Sequence, residues 1–177
     1  MENINNSDLI LFSETQKFKQ WWIWLLLLSI NSVFIFAIYV QVICGEKFGD
    51  KQGSDAMLIA TTAFTFLITA LFAIVHLDTI IKRDGIYFRF YPVQRKYKYL
   101  SWQKITKAYV RRYNPVLEYG GWGMRIGLFG RGRAYNVSGR NGLQLVYSDG
   151  KKLLIGTQKP EEITEILVSL KQYIEWM

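Results

Sequence analysis

Two uninterrupted apolar runs, Trp21 to Cys44 and Ala56 to Leu77, follow one another without a single Asp, Glu, Lys or Arg. At about 1.5 Å rise per residue each spans roughly 30 Å as a helix, the thickness of a bilayer's hydrocarbon core. A helix inside a water-soluble domain seldom stays apolar on every face for that length. The runs therefore predict an integral membrane protein with two spans. A secretory signal sequence flanked by Lys17 and Lys19 is a poor alternative. The first run exceeds the roughly 7–15 apolar residues of such signals, and no small-residue cleavage site follows Val42 before Lys47.

The connection from Gly45 to Asp55 is short and rich in Gly and charge, so the spans are expected to be antiparallel neighbours (residues 21–77). It carries only Lys47 and Lys51, whereas the segment after Leu77 opens with Lys82, Arg83, Arg89, Arg95, Lys96 and Lys98. The excess of positive charge predicts that this segment, and with it both termini, is cytoplasmic in a cell (plasma or inner) membrane. Trp21, Trp22 and Trp24 then form an aromatic belt where the first span enters.

Among the polar residues of the spans, Asn31 and Thr65 fall near mid-depth. Thr61, Thr65 and Thr69 recur every four residues on one helical face, which suits a hydrogen-bonded seam between the helices including Asn31. A conducting role is the alternative reading of such residues, but the connection is too short for a pore helix and filter. The lone cysteine, Cys44, reads as an apolar filler, with lipidation or an intermolecular disulfide as the alternatives. His76, the only histidine, reads as a polar residue at the second exit, with pH sensing as its alternative. Residues 1–20 are expected as a separate cytoplasmic segment whose apolar patch, Leu9 to Phe12, rests on the membrane surface.

From residue 78 to 177 the hydrophobic period changes to two, and the charge changes with it. Of the chain's 22 Lys/Arg and 14 Asp/Glu, 4 and 6 precede Asp78, so the net +8 divides into −2 before that residue and +10 after it. Asp84-Gly85 predicts a tight hairpin between Thr79–Arg83 and Ile86–Tyr91. Further strands are expected at Lys96–Leu100, Ala108–Tyr113, Gly123–Leu128, Arg133–Val137 and Leu143–Tyr147, with a return at Leu153–Ile155 after the turn Ser148-Asp149-Gly150-Lys151. The chain then reads as an amphipathic helix: Pro160, Glu161 and Glu162 suit its first turn, and Ile163, Ile166, Leu167, Leu170, Tyr173 and Ile174 form one face. The fold class expected is a membrane α-helical hairpin plus an α+β domain, an antiparallel β-barrel or sandwich of about seven strands capped by the helix.

Several of these residues resemble the bacterial pleckstrin-homology-like domain in its membrane-anchored form, where a two-helix hairpin precedes the domain. The resemblance covers about 56–170. It rests on Asp84-Gly85-Ile86 directly after a span, Leu100-Ser101-Trp102 before Ile105, and the stretch from Ser148 through Gly156-Thr157 to Pro160-Glu161-Glu162. It implies a PH-like fold.

The glycine-rich segment Gly120 to Arg133 invites comparison with a phosphate-cradling loop, but it lacks the Gly-Lys-Ser/Thr ending and the G-x-G-x-x-G spacing. Its glycines are expected to serve turns and bulges, with Trp122 and Phe129 either in the core or at loop tips entering headgroups. The candidate binding residues are Lys82, Arg83, Arg89, Arg95, Lys96, Lys98, Lys104, Lys107, Arg111 and Arg112, ten cations against the single Asp84. Near an anionic leaflet each is worth about 1 kcal/mol. The same charge could serve topology and solubility alone. Aromatics interleaved among the cations would suit nucleic acid, but the membrane anchor argues against that partner. No catalytic constellation, cofactor motif or metal-ligand cluster is recognisable. The expectation is a non-enzymatic binding or scaffolding protein for anionic lipids or an acidic protein partner. The alternative is a subunit of a larger membrane complex, assembled through the Thr-lined helices or by self-association.

Overall fold

The computed structural model describes residues 9–49, 53–127 and 130–170. The chain divides into two compact units, Lys19–Ile74 and Met1–Phe18 with Val75–Met177.

In the first unit, α1 (Trp21–Ile38) continues through a π-helical turn, Tyr39–Ile43, and α2 covers Asp55–Ile74. Both helices are long and apolar enough to cross a membrane. Of their side chains only Ile23, Asn31, Ala37, Gln41 and Thr62 are buried, so the apolar surface faces outward, as in a span rather than a soluble core helix. The π-turn ends at Gly45, whose φ of 71° lets the backbone reverse. Ser54 caps α2 by accepting from the Met57 amide at 3.3 Å, and Asp55 sits in the first turn where the helix dipole favours it. Asn31 hydrogen-bonds to Thr65 and Thr69, and Gln41 to Asp55, a descending order of partners that fixes the helices as antiparallel.

Residues 9–18 and 75–170 form an α+β unit with two sheets and no closed barrel. The first sheet has the order β1 (Ile10–Lys17), β2 (His76–Lys82), β3 (Gly85–Tyr91), β4 (Lys98–Ser101). The second has the order β5 (Ile105–Arg112), β8 (Asn141–Tyr147), β9 (Lys152–Thr157), β7 (Arg133–Asn136), β6 (Gly123–Ile126). A short helix, α3 (Pro115–Tyr119), follows β5, and α4 (Pro160–Ser169) ends the described chain. Phe12, Leu77, Ile81, Ile86 and Phe88 from one sheet meet Leu143, Leu145, Leu153 and Ile155 from the other. Ile163 and Leu167 of α4 complete this core. Each such side chain contributes about 1.5–3 kcal/mol when fully buried.

Four expectations need correction. Residues 10–17, expected within a segment on the membrane surface, form β1 and pair with β2 from Ile10↔Lys82 to Lys17↔His76. The second helix stops at Ile74, because the apolar run from 56 to 77 joins a span to a buried strand: Leu77 is fully buried in the sheet, and His76 stacks on Tyr91 at 5.0 Å. The sheets are not wholly antiparallel, since β7 runs parallel to β9. Finally, the described residues form nine strands rather than about seven, with α3 as an unforeseen short helix beside which Tyr113 and Tyr119 pack on Ala134 and Leu154 in a second small core. Tyr173 and Ile174 lie outside the described residues.

The inward side chains of β1 are Phe12, Glu14 and Gln16. Glu14 accepts from the Thr157 hydroxyl and the Gln158 amide, both at 2.8 Å, and Gln16 donates to the Gly156 carbonyl at 2.5 Å. The two sheets are thus joined by buried polar bonds as well as apolar contact. Replacing Glu14 by Ala strands two donors and is expected to cost about 1–3 kcal/mol, a fall of several degrees in the domain's melting temperature. Thermal denaturation of the full-length protein in detergent checks this, and an unchanged transition would remove the latch from the account.

Candidate functional site: an open cleft and a divided cationic surface

The ten candidate cations do not form one surface. Two of them are consumed by structure. Arg89 on β3 donates from Nε to Asp78 at 2.6 Å and lies 4.6 Å from the Tyr97 ring centre. Asp78 also accepts from the Thr15 hydroxyl at 2.6 Å and lies 3.5 Å from His76 Nε2, so β1, β2 and β3 share one nearly buried carboxylate. Arg111 on β5 donates to Gln144 at 3.0 Å, to Glu118 at 2.8 Å and to the Tyr119 hydroxyl at 3.3 Å, fastening α3 to the second sheet. The Asn114 side chain caps α3, accepting from the amides of Val116 and Leu117.

The other eight are spread over several segments. Lys82 and Arg83 flank the β2–β3 turn, with Lys82 over the Tyr87 ring at 5.3 Å. Arg95 and Lys96 are exposed in the β3–β4 loop, Lys104 precedes β5, and Lys107 and Arg112 are exposed on it. Lys98 is the exception, because β4 aims it between the two sheets: it pairs across the ladder with the inward Phe88, and its Nζ lies 3.4 Å from the Tyr135 hydroxyl.

That inward position opens onto a cleft of about 810 Å³, within the range of small-molecule sites. It exists because the first sheet ends at β4 and the second at β6, and among the described residues no ladder joins these edges. Phe88, Leu100 and Leu153 form its floor, with Tyr135 and Tyr147 beside them. The Tyr135 ring stands edge-on to Phe88 at 5.0 Å, and its hydroxyl accepts from Gln94 at 3.2 Å. Arg133 is on the rim, two residues before Tyr135 on β7 and therefore on the same face. Among the described residues the one carboxylate lining the cleft, Asp149, is paired with Lys151 at 2.7 Å. Burial raises the Tyr147 pKa, with Tyr135 and Asp149 acting in the same direction and Arg133 opposing them, which places these groups around one hydroxyl.

The glycine-rich segment serves turns here. Gly120 ends α3 with a left-handed φ of 71°, and the Gly127 amide donates to the Gly132 carbonyl at 2.6 Å in the β6–β7 connection. Gly132 has φ 81°, and a Cβ there would overlap the Lys152 carbonyl, so β7 starts tight against β9 and sets one wall of the cleft. Trp122 is half-buried, with its indole NH 3.4 Å from the Gly139 carbonyl. Phe129 lies outside the described residues.

In the helical unit, Asn31 donates to Thr69 at 2.7 Å and accepts from Thr65 at 3.0 Å. Thr61 instead bonds to the Met57 carbonyl of its own helix. Buried Gln41 and Asp55, which the sequence did not single out as a pair, meet at 2.7 Å near the connection. Among the described residues no three His, Cys, Asp or Glu side chains gather as metal ligands do. No protein-family profile, curated protein or solved structure matches the chain.

Asp78 gives a pH prediction. Burial raises its pKa, but the bonds from Thr15 and Arg89 and the charges of His76 and Arg89 outweigh that, so the carboxyl sits below its ordinary value. Its contribution to stability is therefore complete above the unfolded value of about 3.9 and is lost as pH falls through the lower folded value. Asp78→Asn is expected to lower the melting temperature at pH 7 and to flatten its decline below about pH 4. A decline as steep as that of the unaltered protein would assign the acid sensitivity to other carboxylates.

Proposed function

We propose that this is a membrane-anchored, non-enzymatic binding or scaffolding protein. Two spans hold a pleckstrin-homology-like domain at the cytoplasmic face of the cell membrane, with both termini on that side. There its cations engage anionic headgroups or an acidic protein partner. The observation that carries this reading is the unequal use of positive charge. Arg89 and Arg111 are paired with carboxylates, whereas Arg95 and Lys96 stand exposed on the β3–β4 loop and make no ion pair among the described residues. Folding the domain does not require those charges, so they are available to a partner. The β3–β4 loop places Arg95 and Lys96 side by side, both exposed, which makes it the leading basic segment for such contact.

A membrane-complex subunit assembled through the Thr-lined face is the less supported reading. Asn31, Thr65 and Thr69 already satisfy one another within the hairpin, which leaves the seam little to offer a second molecule.

The test compares the full-length protein in nanodiscs of neutral lipid with the same protein in discs containing anionic lipid, read by amide hydrogen exchange. Slower exchange over residues 92–97 and 82–85 in anionic discs, reversed by high salt, is expected. With Arg95→Glu and Lys96→Glu together, loss of about 2 kcal/mol of attraction lowers the docked-to-free ratio roughly thirtyfold and removes the protection. Equal exchange in both lipids would overturn lipid docking.

A further inference from the structure

We infer that the cleft between β4 and the β6–β7 edge is a binding site for a single-chain amphiphile with an anionic headgroup. In this site Arg133 and Lys98 meet the headgroup, and the chain lies over Phe88, Leu100 and Leu153. The inference goes beyond docking of the domain on a bilayer, which uses the turn and loop cations rather than the cleft.

Three observations combine. First, the lining is apolar, with Phe88 and Leu153 buried and Leu100 half-buried, and it ends in an uncovered lip. Phe88 is buried against Tyr135, but Ile126 on the lip is 76% exposed although its position on β6 alternates onto the inward face. A large apolar side chain on that face, left uncovered by the described residues, is what an apolar ligand would cover. Second, the charge is one-sided. Arg133 makes no ion pair among the described residues, Lys98 leans on the neutral Tyr135 hydroxyl, and the one carboxylate of the cleft is held by Lys151. An inward arginine without a counter-ion presents two parallel N–H donors, a geometry matched by a carboxylate or phosphate. Third, the apolar lining and the cations border the same gap between the edges formed by β4 and β6. A chain can lie along it with its head at the charged rim, as an amphiphile requires.

These features exclude simpler ligands. An inorganic anion would leave the apolar floor unused, and a neutral alkane would leave the cations bare. A lipid with two chains carries more apolar volume than a cleft of about 810 Å³ can enclose together with a headgroup, since sites of roughly 300–1,000 Å³ hold drug-sized ligands.

The experiment uses the full-length protein in nanodiscs and a palmitate analogue bearing a diazirine near the chain end. Photolysis is followed by peptide mapping. Labelling of α1 and α2 reports the probe dissolved in the bilayer and serves as the internal standard. Adducts on the peptides carrying Phe88, Leu100, Ile126 or Leu153 are expected, with intensity relative to the helices falling about tenfold in Arg133→Gln and again in Lys98→Gln. Both positions are exposed, so the variants keep the fold, and an unchanged melting temperature verifies this. Leu100→Trp fills the floor from within and is expected to abolish cleft labelling while leaving both cations in place. Each CH2 added to shorter competitor carboxylates should strengthen competition roughly three- to fourfold until the floor is covered. Adducts confined to the helices, or cleft labelling that a matching fatty alcohol achieves equally well, would overturn the proposal. Loss of salt-sensitive protection at residues 92–97 with cleft labelling intact would overturn surface docking alone.

Discussion

The β1–β2 ladder is the constraint on which the rest of the domain depends. Its two strands lie on either side of the helical hairpin, so a seven-position antiparallel register closes the chain over the residues from Phe18 to Val75. Antiparallel helices return the chain to the side from which it entered, and this makes so long a closure feasible despite the entropy that long loops carry. The ladder also supplies Thr15 to Asp78, and its inward side chains reach the second sheet through Glu14 and Gln16. Remove β1, and β2 becomes an edge strand while the first sheet loses its polar bonds to β9 and the residue after it.

Charge in the domain is divided by burial. Where a cation can reach a carboxylate in a sheltered place, as Arg89 reaches Asp78 and Arg111 reaches Glu118, it is absorbed into the architecture. The pKa of each carboxyl reports that use: burial pushes upward on both, and it is outweighed at Asp78 by the Thr15 and Arg89 bonds with the nearby positive charges, and at Glu118 by the Arg111 bond with the Asn114 amide and nearby arginines. What remains for binding is the set left over. It consists of loop cations, of Lys107 and Arg112 exposed on β5, and of Arg133 and Lys98 where the sheets part. Candidate sites in this molecule are thus defined less by where basic residues occur than by which of them folding leaves unneutralised.

Much of the architecture was legible in the sequence because it rests on local patterns. Span length, the Asp84-Gly85 turn, the Ser148–Lys151 turn and the helix at Pro160 each carry their signal within a dozen residues. Other features depend on distant partners. β1 was missed because its inward positions are Phe12, Glu14 and Gln16, so no apolar alternation marks it; Glu14 and Gln16 are buried only because β9 offers Thr157 and Gly156. The end of the second span was misplaced because helix and buried strand are equally apolar there. The cleft was illegible because it collects residues from β3, β4, β6, β7, β8 and β9, and the gap between the edges β4 and β6 makes it a cleft. Of the long basic run, the sequence held the positions but not the partners that remove Arg89 and Arg111 from it.

The placement of the helical hairpin between β1 and β2 also bears on the order of events during synthesis. β1 is made first, yet its partner strand is translated only after both helices, on the order of 3–12 s later at usual elongation rates. Through that interval the strand must wait unpaired, with Phe12 uncovered. The sheet therefore registers completion of the hairpin: a chain whose helices have failed to form a hairpin would hold β1 and β2 apart and leave an exposed strand edge, the kind of surface that quality-control factors recognise.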